Sequence, residues 1–166
     1  YDDVDDIKKG DTVAVPDDAS NQARALNVLQ QAGLLELKSG GTPYSDLADI
    51  DADKSKGALI PTSLPDVAAA IINNDFVEDA GLTFDDAIAQ DDPEDPNALP
   101  YVNIFAARAE DADNETYQKL VEIFQTNEDV QAGLLESSGD TAVALRTPVE
   151  DLVASLEKVQ KDAEEK

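Results

Sequence analysis

The sequence predicts an α/β fold with a parallel sheet, and three observations carry that prediction. Residues 12–15, Thr-Val-Ala-Val, form an apolar run that gives way by residue 20 to an amphipathic helical pattern, the strand-then-helix order of an α/β unit. Residues 58–60 and 68–72 are apolar without alternation, as strands covered on both faces of a parallel sheet are. The last third of the chain carries apolar residues at helical spacing.

Each element can be justified in turn. Residues 1–11 are acidic, lead through Lys9-Gly10-Asp11 into the first strand and read as a connection entering a lobe. The helix over residues 20–32 has Leu26 and Leu29 on one side, widened by Ala25, Val28 and Ala32, so it packs on a sheet. Asp18 or Ser20 supplies its N-terminal cap and Gly33 its C-terminal one. A short strand over 34–37 and a turn-rich loop over 39–43 follow. Residues 51–57 alternate oxygen-bearing side chains like the opening of a calcium loop, but the glycine comes one position late and Thr62 stands where a bidentate glutamate is needed. A surface turn is the better reading, and no metal site is expected.

The strand over 68–72 stops at Asn73-Asn74-Asp75, before a helix over 75–80 closed by Gly81. Residues 90–97 are acidic and interrupted by Pro93 and Pro96, a solvated boundary segment. Residues 101–107 read as a strand in which Asn103 is the one amide. The helix over 114–126 spaces Tyr117, Leu120, Val121 and Phe124 as a core stripe, and a shorter helix over 129–135 and a strand over 141–145 come next. A final helix starts at Pro148, with Val149, Leu152, Val153, Leu156 and Val159 on one face, which must cover a surface of this chain or of a second one.

The junction from Pro16 to Leu26 is the first candidate site. Free backbone N–H groups and the positive end of a helix dipole favour an anion there, and Arg24, three residues after Asn21, adds a planar fork suited to a carboxylate. A structural role competes, because Asp17 and Asp18 could take Arg24 for themselves. Asn73 falls at the carboxyl end of a strand, where open α/β sheets place ligands, although a turn or cap role is favoured on local grounds. Asn103 either pins a loop or faces a ligand.

Composition narrows the function. With 37 acidic and 12 basic residues the formal net charge is -25, which repels nucleic acid and anionic lipid and rules out nucleic-acid binding. Cysteine and histidine are absent, removing disulfides, thiol chemistry, Cys/His zinc and histidine general bases. Gly40-Gly41 carries no lysine and follows no strong strand, so it is no phosphate loop. Carboxylates are plentiful but sit in no motif that fixes a catalytic pair, so the chain is not expected to be an enzyme. The start, Tyr1-Asp2-Asp3-Val4, lacks the basic and apolar parts of a signal peptide, and the sequence reads as a fragment whose targeting segment lies upstream.

Three segments together carry a resemblance. TVAVPDDASNQARALNVL (12–29), VAAAIINNDFVEDAGL (67–82) and PYVNIFAAR (100–108) resemble, in order and near spacing, the signatures of the NlpA-type methionine-binding lipoproteins, substrate-binding components of ABC importers. The resemblance covers about residues 10–126. It implies a periplasmic-binding-protein-like, type II two-lobed α/β fold that is incomplete, because the family's N-terminal half-lobe precedes the equivalent of Tyr1. Residues 1–9 would be the inter-lobe connection, 10–99 a complete lobe, and 100–166 the C-terminal part of the second lobe with an extra terminal helix. Carried over residue by residue, Arg24 would hold a ligand carboxylate and Asn73 and Asn103 its polar backbone groups, with Asn21, Ser20 and Phe76 adjacent. The implied ligand is methionine or a related amino acid or short peptide, the implied partners are an ABC permease and ATPase, and no cofactor is implied. The implied location is extracytoplasmic, on a lipid anchor upstream. The C-terminal helix departs from the family pattern and would fill the space of the missing half-lobe or form a homodimer. A structural or adhesive surface module that binds no small ligand is the alternative function.

Overall fold

The computed structural model describes residues 1–56, 58–60, 67–77 and 79–165. Its sheet has three parallel strands, β1 (Thr12–Ala14), β2 (Ala58–Ile60) and β3 (Ala69–Ala70), in the order β2-β1-β3. Thr12 pairs with Ala58 and Val13 with Ala69, so the first strand is the central one. Backbone bonds from Ala68 and Ile71 to the Thr12 and Ala14 carbonyls extend the β1–β3 ladder at both ends.

Helix α1 (Ala19–Gln31) follows β1. Asp18 caps it by accepting from the Asn21 N–H at 3.0 Å, and Gly33, at φ 71°, turns the chain out of it. Its buried face, Ala25, Leu26 and Leu29, packs on Val13 of the strand, on Val15 just after it and on Ile7, Leu34, Leu35 and Leu37. Leu26 and Val13 are the largest fully buried side chains, at 0% and 1% exposure. Gln30 secures the following loop from both ends of its amide, accepting from the Leu37 N–H at 2.7 Å and donating to the Gly40 carbonyl at 2.9 Å.

The remaining long elements are helices: α2 (Glu115–Thr126), α3 (Glu128–Ser137) and α4 (Val149–Glu164). Asn114 caps α2, and Asn127 caps α3 by accepting from Val130. Helical spacing and caps predicted these three within a residue or two.

Four expected elements need correction. The strand over 34–37 is a single bridge, Leu37 to Ile50. The helix over 75–80 is a short 3-10 turn, Asn74–Phe76, with residue 78 outside the described set. Residues 101–107 begin at the end of a 3-10 turn, Leu99–Tyr101, and then form no ladder with any described strand. β-propensity there has no partner to act on, and Ile104 and Phe105 stand exposed. Residues 141–145 also join no ladder, since the Thr141 and Ala142 N–H groups bond back to Ser138.

The stripe on α2 is not core either. Tyr117 and Leu120 are exposed, and its best-packed contact is an edge-on meeting of Phe124 with Phe105 at 5.3 Å between ring centroids. Periodicity shows which residues share a face, but a second surface must arrive to bury it. On α4 the same holds: Val149, Val153 and Leu156 are exposed.

Candidate functional site

Parallel pairing decides which residues meet. Because β1 and β3 run the same way, their following segments emerge at one edge of the sheet, bringing the start of α1 against residues 71–76. There the Asn73 side-chain amide donates to the side-chain Oδ1 of Asn21 at 3.2 Å. A cavity of about 210 Å³ opens at this contact, lined by Asp18, Asn21, Ile72, Asn73 and Phe76 among others. That is smaller than the roughly 300–1,000 Å³ of ordinary small-molecule sites, so this cavity alone would hold only a small group. Two amides, one carboxylate and apolar side chains can bind a small molecule with both a polar and an apolar end.

Asp18 is the charged member of this wall. Its carboxyl is held below the usual range, first by the Asn21 backbone N–H and then by the Asn21 side chain, which donates at 3.1 Å. It keeps its negative charge at neutral pH while capping α1.

Arg24 stands one turn further along α1 and does not line that cavity. Its guanidinium is held by Asp91 of the acidic segment: Nε donates to Asp91 Oδ2 at 2.9 Å, and Nη2 donates to the same oxygen. The Tyr101 ring lies against it, with the guanidinium carbon 5.6 Å from the ring centroid, a cation–π distance. Burial pushes the Tyr101 phenol up in pKa, opposed by the Asn27 side chain and the Arg24 charge. Its hydroxyl has no hydrogen-bond partner among the described residues, so burial is the cause that prevails. Two turns beyond Arg24, Gln31 donates to Asp95 at 2.8 Å. The acidic segment is therefore tied to α1 at two points, and the acid that takes Arg24 is neither Asp17 nor Asp18.

Of the expected site residues, the structure brings Asn21, Asn73 and Phe76 to one cavity and sets Arg24 beside it on the same helix. Ser20 and Asn103 are exposed and line neither described cavity. Asp91 was missed as a partner of Arg24, because it lies 67 residues away in sequence and its only local signal was an acidic stretch. A larger cavity of about 540 Å³ lies between α4, residues 41–43 and the acidic segment. It contains none of the six expected residues, and the smaller one, at the carboxyl ends of two parallel strands, is where this class of sheet places ligands. Among the described residues no group of three or more acidic side chains is arranged to hold a metal, and no helix is long and apolar enough to cross a membrane.

Comparison with known proteins gives this arrangement a context. The model of the NlpA lipoprotein family matches residues 1–145. A protein of Pasteurella multocida named "Probable D-methionine-binding lipoprotein MetQ" is 36% identical over 144 residues, which are 82% of this chain and 51% of that protein. Among solved structures, protein PG110 from Staphylococcus aureus superposes with a TM-score of 0.72 at 32% identity, covering 96% of this chain and 65% of that one. The substrate-binding protein of a methionine transporter from Streptococcus pneumoniae gives 0.60 at 30% identity, covering 84% and 56%. The chain thus spans about half the length of the curated relatives it matches, and α4 lies beyond the stretch that the family model covers. The fold is the α/β fold of periplasmic-type substrate-binding proteins, and with a family match running from Tyr1 through the Asn21–Asn73 contact and the Arg24 clamp to residue 145, the chain belongs to the NlpA lipoprotein family.

Proposed function

We propose that this chain is part of the substrate-binding component of an ABC importer, one that takes methionine or a related amino acid or short peptide between two lobes. The supporting observation is the meeting of Asn21 and Asn73 at the carboxyl ends of β1 and β3, with Arg24 one turn away, in a member of a family whose relatives are named for methionine binding. In this reading Arg24 receives the ligand carboxylate, Asn73 and Asn21 bond its polar backbone atoms, and Phe76 meets its apolar side chain. Asn103 and Ser20 join only when the lobes close, since both are exposed in the described arrangement. Residues 10–99 form the lobe that carries this wall, residues 1–9 and the acidic segment connect the lobes, and residues 100–166 belong to the second. No step of bond making is involved, and the role is capture, not catalysis.

The working location is extracytoplasmic and lipid-anchored, where the partners are the permease and ATPase of the importer. A second copy, docked through the exposed face of α4, is the further partner. Isothermal calorimetry with L-methionine, D-methionine and a panel of other amino acids tests the ligand assignment. Binding of one of these that is lost on Arg24→Ala is the expected result, and binding unchanged by Arg24→Ala would sink the carboxylate seat.

A further inference from the structure

We infer that Asp91 is a positioning residue for the carboxylate seat: it grips one edge of the Arg24 guanidinium against Tyr101 and leaves the other edge as the fork that meets a ligand acid. The inference rests on the amino-acid-binding role proposed above. It begins with the shape of the group. A guanidinium has five N–H donors in a rigid plane, which make two forks: Nε with Nη2 along the side, and Nη1 with Nη2 across the end.

Asp91 fills the side fork. Its Oδ2 accepts from both Nε and Nη2, so one oxygen satisfies that edge. At the end fork, no described residue accepts a hydrogen bond from Nη1. The Arg24 side chain is 42% exposed, so the guanidinium is not sealed off from solvent. A carboxylate fits an end fork through two parallel hydrogen bonds.

What the clamp supplies is orientation. An unrestrained arginine samples many rotamers, and fixing one on binding weakens affinity. Here the side fork is bonded, the guanidinium carbon lies over the Tyr101 ring at 5.6 Å from its centroid, and the segment that carries Asp91 is tied again through Asp95 to Gln31. Asp91 is also 32% exposed and could in principle compete with a ligand acid for the same cation. Its place on the side fork decides against that, because a ligand can bond the end fork while Asp91 stays where it is.

Calorimetry with L-methionine and with L-methioninamide, whose capped acid cannot use the fork, tests this on the chain and four variants. Asp91→Asn should weaken L-methionine by about five- to tenfold, the effect of losing one charged hydrogen-bond partner, and should leave L-methioninamide within about twofold. Asp91→Glu should recover most of the loss. In the Arg24→Ala background Asp91→Asn should add nothing, the non-additivity of groups that act together. Unchanged or tighter L-methionine binding by Asp91→Asn overturns the inference and makes Asp91 a bystander or competitor. An equal loss for both ligands overturns it in favour of a merely structural role. If the parent chain binds L-methionine and Arg24→Ala abolishes this while Asp91→Asn does not, only the positioning role fails. If the parent binds neither probe, the function proposed above fails and takes the positioning role with it.

Discussion

A methyl group added at Gly41 has nowhere to go. Its Cβ would sit 2.1 Å from Asn27 Oδ1, and the backbone there is at φ 90°, a region that side chains avoid. Asn27 cannot swing aside freely, because it is buried and its amide donates to the Ala23 carbonyl at 3.0 Å. Gly41→Ala should therefore destabilise the fold by roughly 1–3 kcal/mol, read as a lower urea midpoint, whereas Gly33→Ala meets nothing within 4 Å and suffers only the backbone term. Arg24→Ala should weaken a carboxylate ligand by roughly 1.5–3 kcal/mol, and Asn73→Ala, which removes a neutral bond, by about 0.5–1.5 kcal/mol; calorimetry reads both. At this scale the sequence was a partial guide. Asn21, Asn73 and Arg24 were identifiable because each sits at a strand end or a helix start, positions with a local chemical logic. The Gly41–Asn27 contact and the Asp91 clamp were not, because each depends on where a loop lands in three dimensions.

Helices were the most legible elements, since caps and spacing are local. Their surroundings were not, and α1 and α2 make the contrast. Leu26→Ala empties a fully buried site and should cost about 2–5 kcal/mol, while Leu120→Ala, at 51% exposure, should stay within about 0.5 kcal/mol. Paired urea titrations give the comparison. The cap of α1 also makes a pH prediction. Asp18 has a lowered pKa in the folded chain, so its contribution is fully present above the unfolded value of about 3.9 and is lost as pH falls through the lower folded value. The stability gap between the parent and Asp18→Asn should hold from neutrality to about pH 5 and close below about pH 4; a gap that widens on acidification would contradict the assigned bond. Strands were less legible than helices. Residues 69–70 formed one because β1 lay beside them, and residues 101–107, with stronger β-propensity, did not.

For the whole molecule, charge and apolar surface pull in opposite directions. A net charge of -25 keeps copies apart, while α4 offers Val149, Val153 and Leu156 to a partner. If that face pairs two copies, association should strengthen with salt, because the screening length falls from about 10 Å at 0.1 M to about 3 Å at 1 M. Sedimentation at both salt levels should show this, and Leu156→Glu should abolish it. A monomer at every salt concentration would remove the homodimer from the proposal.

The order of the sheet has one more consequence, which concerns time. The central strand is the earliest of the three described strands, and both of its neighbours come much later. β1 and α1 can form local turns as soon as they are made, but the ladder on either side of β1 has to wait for β2 and β3. Parallel pairing of distant segments is slow, so the sheet closes after α1 has formed its turns and only once Ala69–Ala70 has been made.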